Sequence, residues 1–63
     1  MEQSLRQLRE AKGLSQEKLA GLAGVTMGTV RNLEGGSTPR LDTARRIAEA
    51  LGVTVDDCFP VAA

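Results

Sequence analysis

The chain has 63 residues, eight Lys and Arg against eight Asp and Glu, no histidine and one cysteine. That length suits one domain, residues 1–63, near the lower limit for a fold without staples; Cys58 alone forms no internal disulfide, and a zinc site has almost no ligands to draw on. No apolar run reaches membrane-span length and none follows the N-terminus as in a signal peptide, so a soluble, cytoplasmic protein without cofactor is expected.

In chain order the sequence reads as helices cut by glycines, with no strand-length alternation of apolar and polar residues. The first helix carries Leu5, Leu8 and Ala11 on one face and ends at Gly13, with Leu14 folding back. Ser15 caps a second helix, whose first turn holds Glu17 and whose buried stripe is Leu19, Leu22 and Ala23; Gly24 ends it. Val25 is the apolar anchor after that glycine. Thr26 caps a third helix with Val30 and Leu33 inward, and Gly35 and Gly36 stop it. The loop "STPRLD" leads to a fourth helix, with Asp42 at its cap or in its first turn. There Ala44, Ile47, Ala48 and Leu51 fall at i, i+3, i+4, i+7, the clearest amphipathic stripe. Gly52 ends this helix and Val53 anchors the turn. Thr54 then opens a last short helix, with Asp57 as a capping-box partner. Cys58 reads as a small buried apolar residue, Phe59 closes the core, and Pro60 stops further helix.

Only "GVT" joins the second and third helices, which favours a steep crossing over an antiparallel return. Counted from Gln16, the apolar or small residues Leu19, Ala20, Ala23, Gly24, Val25, Val30 and Leu33 fill every internal position of a helix-turn-helix, about residues 15–35. With Val30 and Leu33 inward, residues 27, 28, 31 and 32 lie on the opposite side of the third helix. Zero net charge weighs mildly against a nucleic-acid partner, but the distribution is uneven: six cations face four acids through residue 40, and two face four beyond it.

Over about residues 3–59, "LREAKGLSQEKLAGLAGVTMGTVRNLEGG" followed by "PRLDTARRIAEALGVTVDDCF" resembles the Cro and phage-repressor type of helix-turn-helix domain. The resemblance implies an all-α, five-helix, lambda-repressor-like bundle whose third helix enters the major groove of double-stranded DNA. Met27, Gly28, Arg31 and Asn32 match the family's base-reading positions. Met27 packs on a thymine methyl or fills a surface gap. Gly28 has no edge to read with; it lets the backbone approach the groove, or is a tolerated early-turn glycine. Arg31 pairs with guanine or phosphate, Asn32 with adenine or phosphate, or both are solvated. By resemblance Gln16, at the positive end of the second helix, contacts a phosphate. Thr26, mainly a cap, joins Thr29, Ser37, Thr38 and Arg40 as phosphate candidates, and Arg9 is expected to pair with Glu34 and brace the third helix. Gly28 and the short "GSTPR" loop depart from the pattern.

Nothing here assembles an enzyme site: there is no histidine, no partner for the cysteine, and every glycine cluster sits at a helix end. Solvated faces and helix-dipole complementarity account for Arg45, Arg46 and the "DD" at 56–57. The leading expectation is a transcriptional regulator, a repressor acting as a homodimer through the fourth and fifth helices and the C-terminal "FPVAA", without a small-molecule ligand. The alternative is a protein-interaction module or engineered scaffold on the same fold.

Overall fold

The computed structural model describes residues 4–59. Five helices follow one another, and no strand occurs among these residues: α1 (Ser4–Ala11), α2 (Gln16–Ala23), α3 (Met27–Glu34), α4 (Leu41–Leu51) and α5 (Val55–Cys58). Of the tail given a part in dimerisation, residues 60–63, Pro60 among them, lie outside the described residues, and Phe59 is half-buried against the core.

Hydroxyl side chains set three of the helix starts. The Lys18 amide donates to Ser15 Oγ at 3.0 Å, and that of Thr29 to Thr26 Oγ1 at 3.1 Å. At α5 the exchange is reciprocal: the Asp57 amide donates to Thr54 Oγ1, and the Thr54 amide to Asp57 Oδ2, each at 3.1 Å. The fourth helix has Arg40 at its cap position without a side-chain bond, which puts Asp42 in the first turn. Three helix ends share one device. Gly13, Gly24 and Gly52 adopt φ of 71°, 74° and 72°, the left-handed region open to glycine, and the next amides, of Leu14, Val25 and Val53, reach back to the carbonyls of Arg9, Ala20 and Ala48 at 3.1, 3.0 and 3.0 Å. Each turn thereby drops an apolar side chain onto the core.

The core forms where α2 packs on α3 and α4, with α1 and α5 closing it. Leu19, Val30 and Ile47 have no exposed surface, and Leu51 almost none. All four stripe residues of α4 are buried. Two expected core residues are not. Leu22 is 59% exposed: the small side chains of Ala20 and Ala23 face the neighbouring helices, and at about 100° per residue this carries Leu22 out of the contact. Ala11 is exposed because α1 buries Leu5 and Arg9 and half-buries Leu8, a face that excludes residue 11.

Cys58 is buried at 3% exposure, and its thiol is pushed up to about 11, first by burial and then by the charge of Asp57. A thiol reagent at pH 8 is therefore expected to label the native chain far more slowly than the chain in concentrated urea. Equal rates in the two states would contradict this burial.

Candidate nucleic-acid interface

The third helix has two faces of different kind. Val30 and Leu33 anchor its inner face at 0% and 8% exposure. On the outer face Met27, Gly28, Arg31 and Asn32 are all exposed, Met27 at 41%. They share that face because one helical turn separates Met27 and Gly28 from Arg31 and Asn32. Arg31 takes no part in the ion pairs formed among the described residues.

What holds α3 from behind is a nearly dry polar knot. The guanidinium of Arg9 forks onto Glu34, Nε donating to Oε2 and Nη2 to Oε1 at 3.2 Å. Its Nη1 donates to the Leu14 carbonyl at 2.7 Å, in the turn between α1 and α2. The side chains of Arg9 and Glu34 are only 11% and 7% exposed. Gln16, at the start of α2, supplies a third donor: its Nε2 reaches Glu34 Oε1 at 3.1 Å. Three helices thus meet at one carboxylate. The hydrogen bond to Glu34 is the largest influence on Arg9 and holds its guanidinium above the usual range. Burial alone would lift the Glu34 carboxyl; the bonds from Arg9 and Gln16, with the charges of Arg9 and Arg6, outweigh it and leave the carboxyl below the ordinary carboxylate range.

Gln16 is therefore turned towards Glu34, a partner that sequence reasoning missed. The bond uses one amide hydrogen and leaves the second. Thr26 is engaged as the cap of α3, and its Oγ1 lies 2.9 Å from that of half-buried Thr29. Whichever hydroxyl donates, the other keeps its proton for an outside acceptor. Ser37, Thr38 and Arg40 are exposed in the segment between α3 and α4, separate from the four-residue face of α3.

Arg46 is exposed on α4. Its Nη1 comes to 3.5 Å from where a Cβ on Gly24 would stand. The last turn of α2 contains no basic residue of its own. Arg46 thus brings a cation to the negative end of that helix, across the turn into α3. In sequence it is one of two adjacent arginines, and nothing in the spacing distinguishes it from Arg45. No group of three or more His, Cys, Asp or Glu side chains gathers among the described residues, and none of their helices is long and apolar enough to cross a membrane.

The family model described as Helix-turn-helix matches residues 5–58, from the first turn of α1 to the end of α5. Two relatives share this region. An HTH-type transcriptional regulator of Deinococcus deserti, DdrOP3, is 39% identical over 54 residues, which are 84% of this chain and 42% of that protein. An uncharacterized HTH-type transcriptional regulator of Methanothermobacter thermautotrophicus is 47% identical over 57 residues, 87% of this chain and 83% of that one. The chain thus spans less than half of the Deinococcus protein and most of the Methanothermobacter one.

Proposed function

We propose that this chain, which belongs to the helix-turn-helix family, is a sequence-specific DNA-binding regulator of the Cro and phage-repressor type. The observation that carries the reading is the exposed, unpaired outer face of α3, held from behind by the Arg9–Glu34 fork. A helix fixed in this way enters a major groove with four adjacent positions facing the base edges.

In this reading Arg31 donates its fork to guanine O6 and N7, Asn32 pairs with adenine, and Met27 covers a thymine methyl. Register comes from phosphates. Gln16 offers its second amide hydrogen, Thr26 or Thr29 its free hydroxyl proton, and Ser37, Thr38 and Arg40 close the flank. One module is too small to specify a long site. Two copies, joined through α4, α5 and the C-terminal tail, would read half-sites about one helical turn apart and act as a cytoplasmic, nucleoid-associated repressor.

A titration with random-sequence duplex at two salt concentrations tests the reading. Binding is expected to weaken steeply with salt as condensed counterions lose their advantage in being released. Absence of binding at low salt would turn the assignment to a protein-interaction module or scaffold. On a duplex selected from a random pool, Arg31→Ala is expected to lose roughly 1–3 kcal/mol and to relax preference at one base pair. Arg40→Ala is expected to weaken all sequences alike and to lower the salt slope by about one unit. Equal, sequence-independent losses from both variants would remove Arg31 from base reading.

A further inference from the structure

Four of the seven glycines, Gly13, Gly24, Gly36 and Gly52, have a reason in the backbone, a positive φ; Gly35 caps the end of α3 at negative φ, where a Cβ would make ordinary contact with the Asn32 carbonyl at 3.4 Å. Gly21 and Gly28 have neither role. Both lie inside helices at negative φ. A Cβ on Gly21 would meet nothing within 4 Å, and one on Gly28 only Thr26 Oγ1 at 3.9 Å, an ordinary contact. Alanine fits both places and favours a helix more than glycine does. The fold would be better served by a side chain at each.

The two differ in what they face. Gly21 lines a shallow groove on α2 with Ser15, Glu17, Lys18 and Leu22. Gly28 stands on the outer face of α3, with Arg31 and Asn32 three and four residues on.

We propose that Gly28 sets the depth of the reading helix. The inference rests on the DNA-binding reading above. Its missing side chain lets the first turn of α3 seat its backbone directly against the floor of the groove. Any side chain there holds the helix off and draws Arg31 and Asn32 back from the base edges. Gly28 is thus a positioning residue, acting on specificity through its neighbours.

The experiment compares Gly28→Ala, Gly28→Leu and Gly21→Ala with the wild-type chain, by thermal unfolding and by affinity for a duplex that the wild type selects from a random pool. Gly28→Ala and Gly21→Ala are each expected to raise the unfolding midpoint by a few degrees. Gly21→Ala is expected to bind as the wild type does. Gly28→Ala is expected to bind about tenfold more weakly, and Gly28→Leu more weakly still. The result would be a variant more stable and less able to bind. Wild-type affinity in Gly28→Ala overturns the proposal, as does a lowered midpoint, which would make the glycine a requirement of the fold. If the wild type selects no duplex, the DNA reading itself fails, and that result appears before any variant is made.

Discussion

Arg9→Ala is expected to destabilise the protein by about 3–5 kcal/mol, because it leaves the Glu34 carboxylate buried without its cation. A chain of this length has a total stability of roughly 3–9 kcal/mol, so the variant stands at the edge of folding. Glu34→Ala is expected to do similar damage by stranding the guanidinium, although the Leu14 carbonyl still accepts from it. The double variant should lose much less than the sum of the two. Chemical unfolding of all four chains measures this coupling, and additive losses would mean that the contact contributes nothing as a pair.

The same carboxylate gives a pH dependence of definite sign. Folding lowers the Glu34 carboxyl, so its contribution is fully present above the unfolded-chain value of about 4.3 and is lost as pH falls through the lower folded-state value. Stability should fall along that acid limb, and Glu34→Gln should flatten it. Parallel limbs in the two chains would place the acid sensitivity elsewhere.

Ile47→Ala is expected to cost about 2–5 kcal/mol, through lost burial and through the cavity left among tightly packed neighbours. Ile47 has no exposed surface and lies in one core cluster with Leu19, Val30 and Leu51. It is absent from the proposed reading face, so its effect on DNA binding should run wholly through the folded fraction. At a temperature where half the variant is unfolded, apparent affinity should halve, and saturating duplex should draw the chain back into its fold. Circular dichroism with and without duplex follows both. A binding deficit that persists where the variant is fully folded would give α4 a direct contact with the ligand.

Much of this architecture was legible because its signals are local. A hydroxyl residue before a helix and a glycine after it act over three to five residues, and Ser15, Thr26, Thr54, Gly24 and Gly52 all stand at such ends. The outer face of α3 followed from its two buried residues. Other features depend on the partner surface. Leu22 is as apolar as Leu19, but Ala20 and Ala23 decide which side of α2 its neighbours approach. Gln16 reaches a carboxylate eighteen residues away and Arg46 a turn on another helix, through flexible side chains that leave no periodic trace. The base and phosphate assignments belong to a ligand, and intramolecular packing does not specify them.

The outer face of α3 has one more consequence. Its four side-chain positions are absent from the buried core, so their identities are nearly free of the requirement that the chain fold. Mutations there can accumulate without first being rescued by compensating changes inside. In the proposed reading, the address being read is thus separable from the object that reads it. Changes at Met27, Arg31 and Asn32 can retarget the helix at little cost to the fold, which the Arg9–Glu34 fork and the alanines of α2 hold together.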